Sequence, residues 1–270
     1  MTEPILRPAD IAAWDAWMLT AETHSRTSGY RRRLDTARRV VADAAILGLP
    51  SAVMWSAGKD STALTHLVCV DAGMRVTVYS EKDDLDYPGE EEYLTRLSAE
   101  WGVDLRIIRP AVSPAGWMAE HGRELQGSDD LHSRAAGLSK ECFYGVVESA
   151  TADAGLIYLG LRAKESHGRA MNTYQRGPLY QKRDGKWVCQ PLAYWQGIDV
   201  YAYMMTHGIP FLPVYRCIAF MHADEPWRVR KSWWVPGASA RHGGTAWLRH
   251  YYPSLYRQLC QWIPDSRSLA

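Results

Sequence analysis

The sequence has no paired cysteines and no long apolar run, and each absence excludes a class of protein. The cysteines include no Cys-x-x-Cys and no adjacent pair, which argues against a structural zinc site and against an iron–sulfur cluster. No apolar stretch approaches the length of a membrane span, and the first residues lack the basic and apolar regions of a secretion signal. We therefore expect a cytoplasmic protein without a membrane contact. The five cysteines are Cys69, Cys142, Cys189, Cys217 and Cys260.

The chain also lacks a charge excess and has little phenylalanine. Its formal net charge is +1 over 270 residues, so no overall electrostatic attraction to a polyanion is expected. There are 12 tryptophans and 15 tyrosines but only 3 phenylalanines. Tryptophan and tyrosine join an apolar ring to a polar atom and are enriched at interfaces. This balance indicates either a ligand that stacks on rings or a contact between copies in a homo-oligomer.

Strand and helix patterns alternate through the middle of the chain. Residues 8–47 carry two apolar helical stripes, and from residue 51 short apolar runs alternate with helical periods. Such alternation predicts an α/β fold with a doubly wound, mostly parallel sheet. In that fold a ligand binds beyond the carboxyl ends of the strands. We predict three parts: an N-terminal helical extension over 1–48, the α/β domain over 49–216, and an aromatic and basic C-terminal cap over 217–270.

The same patterns predict approximate bounds for each element. Residues 111–138 show no period and predict a long loop over the site. A hairpin is expected to turn at Asp184-Gly185. The expected strands cover 52–55, 75–79, 105–108 and 156–160, and the expected helices cover 61–72, 89–101, 139–154, 198–206 and 253–262.

A segment of small residues with one lysine joins the first strand to the helix that follows it. A tight turn at this position aims backbone N–H groups at an anion, and the helix N-terminus adds partial positive charge. Gly58 allows close approach of the backbone, Lys59 supplies a point charge, and the serine hydroxyls can donate to phosphate oxygens. The sequence therefore predicts a phosphate-binding loop that differs from the longer Walker A pattern. Its residues are Ser56, Ala57, Gly58, Lys59, Asp60 and Ser61.

A second charged segment begins at Gly160, directly after the strand expected at 156–160. Arg162 and Arg169 could clamp a triphosphate or a sulfate through paired hydrogen bonds. Glu165 could orient an arginine or bind Mg²⁺. Alone, this segment would be a charged loop in solvent, but beside a phosphate loop at the same edge of the sheet it predicts a binding site.

Both segments resemble motifs of known nucleotide-binding proteins. Ser56–Ser61 is similar to the PP-loop, Ser-Gly-Gly-Lys-Asp-Ser, of ATP pyrophosphatases and sulfonucleotide reductases. Ala57 stands where glycine is usual, and alanine keeps the turn tight provided that its φ angle is not positive. The second segment resembles the Gly-x-Arg-x-Asp-Glu-Ser-x-x-Arg signature of the phosphoadenylylsulfate (PAPS) reductase-like family, with Lys164 in place of the aspartate. Later motifs of that family are matched by Gln190–Trp195, Asp199–Tyr203 and Ile209–Tyr215.

The resemblance covers residues 51–216 and implies a Rossmann-like fold of the adenine nucleotide alpha hydrolase-like kind. It implies an enzyme that binds ATP or a related adenine nucleotide. The implied catalytic residues are Lys59, Arg162 and Arg169. The chemistry of ATP cleavage implies Mg²⁺, which Asp60 or Glu165 could hold directly or through water. The implied nucleotide contacts are Ser56, Ala57, Gly58, Lys59, Asp60, Ser61, Gly160, Arg162, Glu165 and Ser166.

The chain departs from the family at the cysteine that its reductases use. That cysteine belongs to a C-terminal Glu-Cys-Gly-x-His motif, which is missing, since Cys260 lies between Leu259 and Gln261. The Cys-Cys and Cys-x-x-Cys of the adenylylsulfate branch are also missing, so no iron–sulfur cluster is expected. We therefore favour cleavage of ATP between its α and β phosphates, with transfer of the adenylyl group to an acceptor that the sequence does not identify.

Two other functions remain open at this point. One is a sulfonucleotide (PAPS) reductase with a non-standard cysteine. The other is a nucleotide-gated module with little turnover, in which residues 226–264 bind single-stranded nucleic acid through interleaved basic and aromatic side chains. These side chains could instead pack as a cap on the core or on a second subunit. They are Arg228, Arg230, Lys231, Arg241, Arg249 and Arg257, with Trp227, Trp233, Trp234, Trp247, Tyr251 and Tyr252.

Overall fold

The computed structural model describes residues 3–121, 145–231 and 243–262, together with residues 264 and 267. The chain begins with two helices, α1 (Pro8–Ser25) and α2 (Ser28–Ile46), as the apolar stripes predict. Helix α1 has proline in its first turn, where no hydrogen bond is lost. Helix α2 is capped by Thr27, whose hydroxyl accepts the Tyr30 N–H at 3.2 Å.

The described residues contain a sheet of six strands that confirms the doubly wound, mostly parallel prediction. The strand order is β3-β2-β1-β4-β6-β5. All neighbouring pairs are parallel except the hairpin of β5 and β6. The strands are β1 (Ser51–Met54), β2 (Thr77–Glu81), β3 (Asp104–Ile108), β4 (Leu156–Tyr158), β5 (Leu179–Gln181) and β6 (Trp187–Cys189).

Helices connect these strands and flank the sheet. The helix after β1, α3 (Lys59–His66), runs on into a π-helical turn at Leu67–Asp71. The other helices are α4 (Glu90–Trp101), α5 (Pro114–His121), α6 (Gly145–Ala150), α7 (His167–Arg176), α8 (Gly197–Thr206), α9 (Thr245–Tyr251) and α10 (Pro253–Trp262). No helix in the described part of the chain is long and apolar enough to cross a membrane.

The N-terminal helices are joined to the α/β core through α8. Asp199, fully buried in the first turn of α8, accepts two hydrogen bonds of 2.7 Å from the Arg33 guanidinium. His24 lies 2.7 Å from the same carboxylate. The ring of Trp17 packs edge-on against Tyr201, with centroids 5.4 Å apart. The extension therefore shares the core of the sheet, while the division at residues 48 and 216 stays a prediction.

Some element bounds differ from those expected. The loop expected over 111–138 contains α5, and its residues from 122 onward lie outside the described part. Residues 139–144 of the helix expected over 139–154 also lie outside the described part. Helix α5 begins with Pro114, and the Ala115 N–H is accepted by the Asp84 carboxylate at 2.9 Å. A helix start that depends on a residue 31 positions away cannot be recognised from a local pattern.

Candidate functional site

The six-residue loop at 56–61 leaves the carboxyl end of β1, beside β4, where the order of the strands reverses. Ser61 holds the loop closed: its hydroxyl accepts the Ser56 N–H at 3.1 Å and donates to the Gly58 carbonyl at 2.9 Å. Gly58 precedes the first residue of α3, so the loop ends at a helix N-terminus. This is the local geometry that the sequence predicts for anion binding, with backbone N–H groups grouped at one end of a helix.

Ala57 adopts the left-handed backbone conformation, with φ of 60°. Alanine was expected to fit the loop without strain only if its φ angle were not positive, and this condition is not met. A left-handed conformation costs an alanine about 1 kcal/mol, whereas glycine adopts it freely. The side chain is also buried, at 1 % exposure, so the neighbouring core holds this residue in place. We infer that the loop stores a small amount of backbone strain at the position where related loops carry glycine.

Lys59, within the loop and at the first position of α3, is buried, at 4 % exposure. Its ammonium lies 3.0 Å from the Asp60 carboxylate and 3.4 Å from the carbonyl oxygen of Val229. Its backbone N–H donates to the Tyr215 hydroxyl at 2.9 Å. The Tyr215 ring also lies 5.1 Å from the ammonium, at cation–π distance. Residues from the C-terminal third of the chain therefore fix both the backbone and the side chain of this lysine.

A chain of ion pairs links this loop to the segment after β4. Arg162, at 3 % exposure, donates from Nε to the Asp60 carboxylate at 2.5 Å, and its Nη2 lies 3.5 Å from Glu165. Glu165 also pairs with Arg169. Burial raises the pKa of the Asp60 carboxyl, but the adjacent Lys59 and Arg162 outweigh it and hold that pKa below its usual value. The structure thus brings all five charged residues of the predicted site together.

Gly160 and Ser166 act in positioning these charged groups. A Cβ at Gly160 would lie 3.0 Å from the backbone carbonyl of Asp60 and from the Cα of Ser61. Only glycine allows the end of β4 to approach the N-terminus of α3 this closely. Ser166 caps α7, because its hydroxyl accepts the Arg169 N–H at 3.3 Å.

The carboxylates of Asp60 and Glu165 do not fit direct ligation of a cation such as Mg²⁺. Both oxygens of Asp60 face cations, Oδ1 facing Arg162 and Oδ2 facing Lys59. Glu165 is engaged by Arg162 and Arg169 in the same way. No group of three or more His, Cys, Asp or Glu residues in the described part of the chain could hold a metal ion. Both carboxylates instead pair with basic side chains. For Glu165 this agrees with the alternative expectation that it orients an arginine.

A second ionic cluster lies beside the loop and was not predicted. The Lys231 ammonium donates to Asp86 at 2.5 Å and to Glu90 at 2.8 Å. Lys82 pairs with the same two carboxylates, at 2.5 and 2.7 Å. The Lys231 stem lies 3.7 Å from the place a Cβ would take on Gly58. Residues 229–231 therefore cover the loop at 56–61. Only the folded chain reveals this contact, because Lys231 and Asp86 lie 145 positions apart in the sequence.

A cavity of about 790 Å³ lies at the carboxyl end of β2, next to this cluster. Burial, and then Asp83 and Asp86, raise the pKa of the Glu81 carboxyl nearby to about 8. Because carboxylates repel phosphate, the cavity does not fit the phosphate chain of a nucleotide. Its charged lining comprises Lys82, Asp83, Asp84, Asp86, Glu90, Glu91, Glu92 and Arg96.

A match to a known protein family agrees with this arrangement. The model of the phosphoadenosine phosphosulfate reductase domain matches residues 50–218, more than half of the chain. The chain belongs to the PAPS reductase domain family. The matched range contains both charged segments and the later motifs that end at Tyr215.

The curated relatives are named as PAPS reductases. The phosphoadenosine 5'-phosphosulfate reductase of Xanthomonas axonopodis pv. citri is 27 % identical over 150 residues, which are 52 % of this chain and 58 % of that protein. The reductase of Xylella fastidiosa is 26 % identical over 176 residues, covering 63 % and 71 %. The chain thus spans less than two thirds of the first of these relatives. A crystal structure of PAPS reductase from Candida auris, in a phosphate complex, aligns with a TM-score of 0.50 at 15 % identity, covering 65 % of this chain and 81 % of that one, and supports the fold.

Burial disfavours the thiolate form of three described cysteines of this PAPS reductase family member: Cys69, Cys189 and Cys217. Cys189, Cys217 and Cys260 are buried and Cys69 is half-buried. Burial raises the pKa of the Cys69 thiol to about 12 and holds those of Cys189 and Cys217 well above their usual value. Thiols with such pKa values are protonated at neutral pH and are poor nucleophiles. Cys142 lies outside the described residues.

The aromatic rings of the cap pack inward where the structure describes them. Trp247 donates from its indole N–H to the Cys217 carbonyl at 3.1 Å, and Tyr251 donates its hydroxyl to Asp10 at 2.5 Å. Tyr252 is 2 % exposed, and the Trp227 ring lies 5.6 Å from that of Trp17 in α1. The buried rings of Trp247, Tyr251 and Tyr252 are not available to stack on bases, whereas Trp227 is half-buried. Two further tryptophans and one arginine of the segment predicted to bind nucleic acid lie outside the described residues: Trp233, Trp234 and Arg241.

Proposed function

We propose that this member of the PAPS reductase family binds ATP or a related adenine nucleotide and cleaves the bond between the α and β phosphates. The observation that carries the proposal is a series of ion pairs that runs from the buried Lys59 through Asp60, Arg162 and Glu165 to Arg169, which is exposed to solvent. It joins two loops at the carboxyl ends of β1 and β4, where doubly wound sheets bind ligands. These five residues comprise three cations and two carboxylates and so carry a net positive charge. An anionic ligand would balance that charge.

In the proposed reaction an oxygen of the acceptor attacks the α-phosphorus. A new P–O bond forms, the bond from the α-phosphorus to the bridging oxygen breaks, and pyrophosphate leaves with that electron pair. The backbone N–H groups of Ala57, Gly58, Asp60 and Ser61 would stabilise the charge that develops on the leaving group, together with the Lys59 ammonium. The Lys59 N–H already donates to the Tyr215 hydroxyl. Arg162 and Arg169 would hold the remaining phosphate oxygens in line for attack. Asp60 and Glu165 would position these cations.

The cysteines support adenylyl transfer over reduction of a sulfonucleotide. Reduction needs a thiolate that attacks sulfur, and each described thiol is wholly or largely shielded from solvent. Reduction remains the second candidate, because the curated relatives carry that name. It would have to use Cys142 or a thiol that becomes exposed when a partner binds.

The experiment that tests the proposal follows the fate of two nucleotides in parallel. The protein is incubated with α-labelled ATP and Mg²⁺, a cation that triphosphates bind through their own oxygens. A second incubation contains PAPS or adenylylsulfate with thioredoxin and dithiothreitol. Labelled AMP or an adenylylated product together with pyrophosphate is the expected result. Release of sulfite without cleavage of ATP would overturn the proposal, and Cys142 would then be substituted first.

The matched control is a lysine of the same surface that stands outside the ionic chain. Lys164 is exposed and follows Arg162 by two residues. Lys164→Gln should retain the activity, whereas Arg162→Gln should lose it, because only the latter removes a cation bound to Asp60. Equal loss in both variants would show that the ionic chain has no special part in the reaction.

A further inference from the structure

The segment that follows β4 is strongly basic, although the chain as a whole is nearly neutral. Residues 162–186 contain seven lysines and arginines but only two carboxylates, while the chain as a whole has a net charge of +1. Both carboxylates are already paired: Glu165 with Arg162 and Arg169, and Asp184 with Lys182 at 2.8 Å. The segment is therefore a concentrated source of positive potential.

Most of these cations lie on the surface. Lys164, Arg169, Arg176, Lys182 and Arg183 are exposed, and His167 at the start of α7 is exposed beside them. The remaining two point inward: Arg162 belongs to the nucleotide site, and the Lys186 ammonium donates to the Thr151 carbonyl at 2.8 Å.

The exposed cations form one continuous surface, because α7 is tied to the hairpin of β5 and β6. The Asn172 amide donates to the Tyr180 hydroxyl at 3.4 Å, and the Arg176 guanidinium lies 5.3 Å from the centre of the Tyr180 ring. Beyond Tyr180 the hairpin carries Lys182 and Arg183 to its turn. At the other end, Ser166 caps α7 directly after the nucleotide-site loop.

Aromatic and apolar side chains lie among these cations with their faces in solvent. Tyr174 is 87 % exposed and Met171 is 42 % exposed, and with His167 they are spaced at i, i+4 and i+7 on α7. Tyr194 is 47 % exposed and follows Ala193, whose carbonyl accepts the Ala163 N–H at 2.9 Å. These rings contrast with the buried rings of the C-terminal cap.

We propose that the surface formed by α7, the β5–β6 hairpin and Tyr194 binds single-stranded nucleic acid. Phosphodiesters would pair with Arg176, Lys182 and Arg183, and unstacked bases would stack on Tyr174 and Tyr194. Single strands use cations and open ring faces together, whereas an anionic membrane needs only the cations. The surface adjoins the nucleotide site through the ion pair of Arg169 and Glu165. This inference goes beyond the proposed function and is tested without ATP, so either can fail alone.

The test measures the binding of fluorescein-labelled dT12 and rU12 to the full chain by anisotropy, at 50 and 200 mM KCl. Wild-type protein should bind, and more weakly at the higher salt concentration. The double variant Arg176→Gln/Arg183→Gln should bind about tenfold more weakly, and its salt slope should fall by about 1.4, because each phosphate contact to a single strand contributes about 0.7. The matched control is Arg32→Gln/Arg39→Gln, which removes two exposed arginines of α2 and should bind like wild type.

A second pair of variants separates stacking from charge. Tyr174→Ala should raise Kd about tenfold, while Tyr174→Phe, which keeps the ring, should restore binding. Because Tyr174 is on the surface, both variants should melt at the wild-type temperature. No salt-dependent binding by wild type, or equal losses in the α7 and α2 double variants, would overturn the proposal. So would binding only to phosphatidylserine vesicles, or a dimer that Tyr174→Ala dissociates without any oligonucleotide binding.

Discussion

Gly160→Ala is the substitution whose effect follows most directly from the structure. The added Cβ would lie 3.0 Å from the carbonyl carbon and oxygen of Asp60 and from the Cα of Ser61. All three are backbone atoms at the start of α3 and cannot turn away as a side chain would. Overpacking of this kind costs about 1–3 kcal/mol. Relief of the clash requires the segment after β4 to separate from the loop at 56–61, which also pulls Arg162 away from Asp60.

Two measurements check this prediction. Urea unfolding of Gly160→Ala should show a free energy of unfolding lower by about 1–3 kcal/mol. Calorimetric titration with ATP should show weaker binding than in wild type, because the spacing of the two loops changes.

The matched control for Gly160→Ala is Gly168→Ala, in the first turn of α7. Apart from its chain neighbours and the backbone of its own helix, no atom lies within 4 Å of the Cβ that this substitution adds. Its stability should be unchanged or higher by up to about 1 kcal/mol, since alanine favours helix more than glycine does. The reasoning is refuted if the two alanine variants have the same stability and the same affinity for ATP.

Three further predictions concern stability, each measured by urea unfolding. Ala57→Gly should be close to neutral, because relief of about 1 kcal/mol of strain at φ of 60° offsets the loss of a buried methyl worth about 0.8 kcal/mol. Ala12→Gly, at an exposed position of α1, should cost about 1 kcal/mol; equal losses in the two variants would contradict this. Burial, then His207, lowers the pKa of His66 to about 4, so the unfolded state alone takes up this proton below about pH 6.5. Stability should therefore fall between pH 6.5 and 4, by about 2 kcal/mol at pH 5, and His66→Gln should lose that part of the pH dependence; an unchanged slope would contradict it. Lys231→Met should cost about 2–4 kcal/mol, because it leaves the buried Glu90 and the half-buried Asp86 with one lysine. Arg230→Gln, which changes an exposed neighbour, should be neutral; similar values in both variants would argue against the cluster.

Much of the fold follows from local signals in the sequence. The strand, loop and helix around Lys59 and the hairpin at Asp184-Gly185 were predicted because each depends on neighbouring residues. The parallel sheet follows from the alternation of strands and helices. The meeting of Arg162 with Asp60 also follows, since the carboxyl ends of neighbouring parallel strands share one edge of the sheet.

The remaining features depend on contacts between distant residues. Tyr215 accepts a hydrogen bond from the Lys59 backbone across 156 positions, and Val229 covers the same lysine. The sequence predicts that Asp60 and Glu165 lie in the candidate site, but it does not reveal that Lys59 and arginines already face their oxygens. The left-handed φ of Ala57 could not be predicted either, because the identity of an alanine does not indicate which backbone conformation it adopts.

The most direct test of a phosphate-binding site at residues 56–61 is a calorimetric titration of ATP into wild-type protein and into Lys59→Gln. Wild type should bind one nucleotide per chain, and Lys59→Gln should bind at least about tenfold more weakly while Lys164→Gln binds as wild type does. A thermal melt of each variant checks that it is folded. Equal affinity for ATP in folded Lys59→Gln and wild type would contradict the account.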